Sequence, residues 1–138
     1  MTLVEKIETF LAKRSIDIIS RPAGSSTMSA VLGERCVIAI PADDMTSAEY
    51  VEYLGHEAGH CETGAFYHEE SMFFRWEWCE YRATKWAIKK LLPRSKINAA
   101  LRARYTDAYE IAEYVDLPQD FVEQAIFYHE NGYVLLEH

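Results

Sequence analysis

The most informative part of the sequence, for both fold and function, is the stretch Gly55-His56-Glu57-Ala58-Gly59-His60-Cys61. It contains His-Glu-x-x-His, and on a helix residues four apart lie one turn above each other, so His56 and His60 face the same side. Each imidazole can offer a neutral ring nitrogen to Zn²⁺ at about 2.0–2.1 Å. Glu57 leaves the helix about 100° round from His56, where it can reach a metal-bound water without ligating the metal. The stretch predicts a zinc-binding helix, and a helix with two ordinary histidines is the simpler alternative.

Length and composition favour one globular domain with a sizeable core. The chain has 138 residues, of which 49% are hydrophobic and 13% aromatic, and this excludes a disordered chain. The formal charge of −8 argues against a nucleic-acid surface, which needs positive charge to displace counterions. No apolar run approaches the ~20 residues of a membrane helix, and the first residues lack the pattern of a signal peptide. We expect a cytoplasmic protein that binds neither nucleic acid nor membrane, and the sequence sets no oligomeric state.

The cysteines predict no disulfide framework. Cys36, Cys61 and Cys79 are odd in number and irregular in spacing. Free thiols are therefore expected, and they agree with a cytosolic setting. Cys61 and Cys79 are each expected to act as a small buried hydrophobic residue.

The N-terminal part predicts one helix followed by a small sheet. The apolar residues of segment 2–14 fall on one side of a helix. A β-branched run at 16–19 and two apolar runs at 28–32 and 36–40, the latter two joined by Gly33-Glu34, predict strands. A small antiparallel sheet within about residues 16–40 is the simplest arrangement.

The rest of the chain is predicted to be helical. Thr46 and Glu49 have capping-box spacing, so the motif helix is expected over about residues 46–62. A second helix is expected over about residues 71–92, and C-terminal helices over about residues 95–131. No linker is long enough to divide the chain. The fold class is therefore α+β and mostly helical, with residues 1–138 forming a single domain.

Glu80 is the candidate third ligand of the predicted zinc site. Catalytic zinc sites use three protein ligands and leave a fourth position for water. Glu80 lies in the middle of the apolar stripe of its helix, where an ionised carboxylate is costly unless a partner compensates it. A metal ion would do so, and so would a buried ion pair with Arg75 or Arg82. Glu77, one turn earlier, is the rival ligand or an outer partner of the site.

These residues together predict peptidase chemistry. Zn²⁺ lowers the pKa of a bound water towards ~7 and polarises a carbonyl, and Glu57 would accept the proton of that water and pass it to the leaving amine. Two histidines and a glutamate as ligands, with the motif glutamate as base, are typical of a gluzincin-like peptidase. Tyr67 and His68, just past the motif helix, are candidates for stabilising the oxyanion. An ordinary loop role is the simpler interpretation of both.

The aromatic tract Phe73-Phe74-Arg75-Trp76-Glu77-Trp78 opens the second helix. Phe73 and Trp76 are expected in the core by helical period. Phe74 and Trp78 fall on the far side of the helix. They are expected to pack under the C-terminal helices or, alternatively, to present an apolar surface to a partner.

Three segments carry a family resemblance. The first is Leu54-Gly55-His56-Glu57-Ala58-Gly59-His60-Cys61 followed by Thr63-Gly64-Ala65-Phe66-Tyr67; the second is Glu80-Tyr81-Arg82-Ala83-Thr84-Lys85-Trp86-Ala87, ending in Leu91-Leu92-Pro93; the third is 109–123. They resemble the ImmA/IrrE metallo-endopeptidases, particularly the ImmA type of phages and integrative elements, and the likeness covers roughly residues 30–132. Thr84 and Trp86 stand where the family usually has Asn and Phe, and the second segment ends one residue earlier.

The resemblance implies both a fold and a function. It implies a helical zincin-like core with a small sheet, in which His56, His60 and Glu80 bind zinc and Glu57 is the catalytic base. It also implies that the substrate is a partner repressor of the helix-turn-helix type. Cleavage of that repressor would derepress a phage, a mobile element or a stress programme.

Two functions without catalysis are the alternatives. One is a zinc-binding regulator or antitoxin that binds a repressor without cleaving it. The other is a DNA-binding protein, because segment 111–122 resembles a helix-turn-helix. A recognition helix should present Arg, Lys, Asn or Gln to base edges, and segment 119–130 offers mostly acidic side chains. DNA binding is therefore the less favoured of the two.

Overall fold

The structure is a computed structural model that describes residues 1–66 and 73–136, with the side chains of residues 73 and 74 left out of the description. Within that part of the chain, six helices and a three-stranded sheet form a mostly helical α+β fold, as predicted. The elements are α1 (Leu3–Lys13), β1 (Asp17–Ser20), β2 (Met28–Leu32), β3 (Arg35–Ile40), α2 (Ser47–Thr63), α3 (Phe73–Leu91), α4 (Arg94–Arg102), α5 (Ala108–Val115) and α6 (Gln119–Asn131).

The sheet is mixed, so the prediction of an antiparallel sheet is wrong for β1. The strand order is β1-β3-β2, with β2 antiparallel to β3 and β1 parallel to it. The loop 21–27 carries the chain from one edge of the sheet to the other, so β1 and β2 do not pair. Because the chain reverses direction twice between β1 and β3, these two strands point the same way.

The helix α2 begins and ends as its sequence predicts. The Thr46 hydroxyl accepts the backbone N–H of Glu49 at 3.1 Å, and the Glu49 carboxylate accepts the backbone N–H of Thr46 at 3.0 Å. This capping box satisfies two amide donors that the first turn leaves free. Gly64 ends the helix with φ +67°, a conformation that glycine adopts at little cost.

The helix α2 is the centre of the fold. It contacts α1, α3, β2 and β3, so it lies between the sheet and the other helices. The largest fully buried side chains come from every layer around it: Leu11, Ile38, Ile40, Val51, Leu54, Ile88, Leu92, Ile111 and Val122. The His-Glu-x-x-His motif is therefore carried by the element with the most extensive packing. No helix in the described part of the chain is both long enough and apolar enough to cross a bilayer.

At Gly59 the backbones of α2 and α3 touch. A Cβ atom built at Gly59 would lie 2.9 Å from Ala83 Cα and closer still to the Ala83 carbonyl oxygen. Backbone atoms cannot turn aside, so any side chain at this position forces the two helices apart. Gly55 differs, because a Cβ there would meet the end of the Leu91 side chain at 2.5 Å, and that side chain can rotate.

We expect Gly59→Ala to destabilise the protein by about 1–3 kcal/mol, the usual cost of overpacking a dense interior. Gly55→Ala is the matched control, since it adds the same methyl group to the same helix against a side chain that can move. Urea denaturation of both variants measures the difference. Equal losses of stability would contradict the backbone contact.

Cys36 and Cys61 form a disulfide, so the expectation of free thiols is wrong for this pair. The bond joins β3 to the C-terminal end of α2, with S–S 2.08 Å and Cα–Cα 5.9 Å. The odd number of cysteines indicated no pairing. Cys36 and Cys61 meet only because α2 packs against β3, and the sequence alone does not show this contact. Cys79 is free and buried, as expected for a small hydrophobic residue.

The far side of α3 carries an exposed tryptophan, so the expectation that Trp78 packs under the C-terminal helices is wrong. Trp78 is 57% exposed and its ring stacks on that of Tyr81 at 6.4 Å between centroids. Trp76, on the opposite side, was expected in the core but is only partly buried and is not a member of the core. The predictions for the side chains of Phe73 and Phe74 lie outside the described residues.

Candidate metal centre

Three side chains from α2 and α3 converge on one point. His56 Nε2 lies 2.7 Å from Glu80 Oε2, and His60 Nε2 lies 3.2 Å from Glu80 Oε1. All three candidate ligand atoms lie within 4.8 Å of one another. Two ligands of a tetrahedral zinc ion with bonds of about 2.0–2.1 Å are about 3.3 Å apart. The three residues predicted as ligands, His56, His60 and Glu80, therefore form a group that could hold a metal ion, called the metal group below.

The same three side chains form a charge-assisted hydrogen-bond network. Burial alone would raise the pKa of Glu80, but hydrogen bonds from His56 and His60 outweigh it and lower that pKa to about 2. Burial would lower the pKa of His60, but the hydrogen bonds with Glu80 and with the Ala65 carbonyl outweigh it and raise that pKa. Glu80 is therefore a carboxylate at neutral pH, the form that a metal needs.

Each histidine is also held through its second ring nitrogen. His60 Nδ1 lies 2.6 Å from the carbonyl oxygen of Ala65, and His56 Nδ1 lies 3.5 Å from Thr84 Oγ1. A neutral ring that keeps its proton on Nδ1, facing an oxygen, would have lost the Nε2 proton that it donates to Glu80, and Nε2 would then offer its lone pair to a metal. The ring geometry thus fits ligation through Nε2 on both histidines.

No contact with the histidines was predicted for Thr84 or for the Ala65 carbonyl. The sequence does contain a signal for Thr84, because it follows Glu80 by one helical turn and so shares its face of α3. In the structure Thr84 is only 6% exposed. A buried hydroxyl needs a hydrogen-bond partner. The contact of the Ala65 carbonyl could not be predicted from residue type, because it depends only on the path of the backbone after Gly64.

Two of the three candidate ligands, His56 and Glu80, line an open cleft of about 730 Å³, and His60 is buried behind them. Its lining comes from α2, α3, the first half of α6, the loop before β2, the segment between β3 and α2, and Leu136. Glu57 also lines this cleft. A ligand that enters the cleft therefore meets the metal group and the candidate base together.

Glu57 is buried, with 9% of its surface exposed, and its carboxylate accepts a hydrogen bond from a side chain of the sheet. The hydroxyl of Ser29, on β2, donates to Glu57 Oε1 at 2.6 Å. Ser29 was not among the residues predicted for the site. The signal that could have revealed it is a single polar residue within a short, otherwise apolar strand, Met28–Leu32.

The remaining candidates from the sequence do not join the metal group. Glu77 lines a different groove, beside Trp78 and Arg82. It is not a member of the three-residue group found among the described residues. Tyr67 and His68 lie outside the described residues, so their proposed contact with an oxyanion remains a prediction.

The cleft carries negative charge beyond the residues of the metal group. Four more carboxylates line it: Asp44, Glu49, Glu52 and Asp120. Among the described residues of the lining there is no lysine or arginine. Burial, and then the charges of Glu52, Glu49 and Asp120, raise the pKa of the Tyr53 phenol, which lies in the same cleft. The cleft is therefore suited to positively charged groups.

The arrangement combines a metal-binding group, a carboxylate beside it and an open acidic cleft. These are the parts required to polarise a carbonyl, to move a proton and to admit an extended chain. Comparisons of the chain with protein-family models, with curated proteins and with solved structures find no match.

Proposed function

We propose that this protein is a zinc-dependent endopeptidase. The observation that carries the proposal is the convergence of His56, His60 and Glu80. Two of them, His56 and Glu80, line a cleft that Glu57 also lines. Two imidazoles and one carboxylate, with a fourth position left for water, are a donor set of catalytic zinc. Bound zinc would supply a Lewis acid that polarises the scissile carbonyl and acidifies water.

The protein's own contribution to the reaction is proton transfer and binding. Glu57 would take the proton of the attacking water and later deliver it to the leaving amine. It follows His56 directly in α2, so it stands at the edge of the metal group and is not one of its members. An endopeptidase requires room for the peptide on both sides of the reacting bond, and the open cleft of about 730 Å³ supports this assignment.

The charge of the cleft supports a basic protein as the substrate. Proteins that bind DNA carry lysine and arginine to neutralise phosphates, and the cleft lining is acidic. A helix-turn-helix repressor meets this requirement. The resemblance to the ImmA/IrrE family supports the same substrate, whose cleavage would derepress a phage, a mobile element or a stress programme. Such a substrate places the reaction in the cytoplasm.

The disulfide bears on that location. Cytoplasmic thiols are ordinarily kept reduced, whereas Cys36 and Cys61 are bonded to each other in the structure. Alkylation of the thiols in intact cells, followed by mass spectrometry, shows which state the pair has where the protein works.

Co-expression with helix-turn-helix repressors encoded in the same genome tests the function. We expect one specific cleavage, abolished by a chelator and restored by zinc. A zinc-loaded protein that binds the repressor and leaves it intact would instead indicate a regulator without catalysis.

The acidic lining gives a separate prediction about substrate preference. We expect Glu52→Gln combined with Asp120→Asn to raise KM about tenfold for lysine- and arginine-rich peptides, because two charges of the cleft are lost. The effect should shrink as salt rises. The measurement is cleavage of basic and acidic fluorogenic peptide pools at low and high salt.

The matched control is Glu34→Gln combined with Glu130→Gln, two exposed carboxylates that do not line the cleft. It removes the same net charge and should leave KM unchanged. Equal effects in both double variants would show that total charge, and not the cleft, attracts the substrate.

A further inference from the structure

The proposed base is held by a residue from outside its own helix. Ser29 is the second residue of β2, and its hydroxyl donates to Glu57 Oε1 at 2.6 Å. Glu57 is 9% exposed, so little water competes for this hydrogen bond. Hydrogen bonds to a carboxylate are shorter and roughly twice as strong as those between neutral groups. This contact is therefore a firm link between the sheet and α2.

The position of Ser29 in the sheet is unusual for a hydroxyl. The strand register pairs Ser29 with Ile38, which is 0% exposed. Side chains of directly paired residues project from the same face of a sheet, so the hydroxyl points towards the layer that α2 occupies. An apolar side chain would be expected there. A hydroxyl at a site of this kind is costly without a partner, and Glu57 is that partner.

We propose that Ser29 is a positioning residue that fixes the carboxylate of Glu57 for proton transfer. The inference rests on the proposed peptidase function. The last torsion of a glutamate side chain has a broad energy minimum, so a free carboxylate rotates easily. By binding one oxygen, Ser29 limits this rotation and leaves the other oxygen to the reacting water. Catalytic groups held close to their productive geometry react faster.

The test uses the zinc-loaded full chain with Ser29→Ala and Ser29→Thr. We expect Ser29→Ala to lower kcat about 10- to 100-fold, the range for losing a hydrogen bond to a charged group. KM and the zinc content should stay unchanged. Ser29→Thr should restore most of kcat, because it keeps the hydroxyl and suits a strand.

A second measurement does not depend on activity. Ser29→Ala is made in the wild type and in Glu57→Ala, and urea denaturation gives the unfolding equilibrium constant of all four proteins. If the hydroxyl serves Glu57, Ser29→Ala should shift this constant about tenfold more in the wild type than in Glu57→Ala. Equal shifts in both backgrounds would overturn the contact on which the inference depends.

The outcomes separate the inference from the proposed function. Wild-type kcat in Ser29→Ala, together with an inactive Glu57→Gln, overturns the role of Ser29 alone. A rise in KM without a fall in kcat does the same. Full activity of Glu57→Gln overturns the peptidase mechanism and the positioning role with it.

Discussion

Glu57→Gln should bind zinc as the wild type does and should lose proteolysis by a factor of at least about 10²–10⁴, the usual contribution of a general base. Glutamine has nearly the same shape as glutamate, and its amide oxygen can still accept the Ser29 hydroxyl. An amide cannot take up the proton of a water at neutral pH. The substitution therefore removes proton transfer with little change in the packing around α2.

Two measurements check this expectation. Zinc content per chain is determined by mass spectrometry of the metal, and cleavage is followed with lysine- and arginine-rich peptides. Glu52→Gln is the matched control, since it makes the same change on the same helix at the same cleft. It should keep kcat and affect KM alone. A zinc-loaded Glu57→Gln that still cleaves would require another base.

Glu80→Ala should weaken zinc binding by at least about 100-fold. Loss of an outer partner of a metal site typically costs 10–100-fold in affinity, and removal of a direct ligand should cost no less. The substitution also removes the carboxylate that both histidines contact. Only His56 and His60 would then remain of the three-residue group.

Glu77→Ala is the control for Glu80→Ala. Glu77 lies one helical turn earlier on α3 and lines a different groove, so its loss should leave zinc affinity within about twofold. Competition with a chromogenic chelator measures both affinities. Equal effects of the two substitutions would reject Glu80 as the third ligand.

The residues of the metal group could be predicted because the period of a helix determines which side chains share one face. His56 and His60 share one face of α2 by spacing alone, and Glu80 is conspicuous as a carboxylate on an apolar stripe. The ends of α2 were predictable for a similar reason, because Thr46 and Glu49 are close in sequence. Features that depend on neighbours along the chain can be recognised locally.

Features that depend on packing between distant segments were not predictable. The direction of β1 depends on a pairing with β3 that skips β2, and no local pattern reports it. Cys36 meets Cys61 only because α2 lies on the sheet. The contact of Ser29 with Glu57 has the same origin. A polar residue in a strand shows that a partner is required, but not which residue supplies it.

The backbone contact at Gly59 has a thermodynamic consequence. Gly59 is next to His60 on α2, and the residue that it contacts, Ala83, lies one turn after Glu80 on α3. Packing of the two helices therefore brings the candidate ligands together when the chain folds. The entropy of ordering them is lost in folding and not again when the ion binds. An ion that binds only the folded state stabilises it, by about 2.7 kcal/mol at 100 times Kd. The free zinc concentration would then control the population of folded protein as well as its activity.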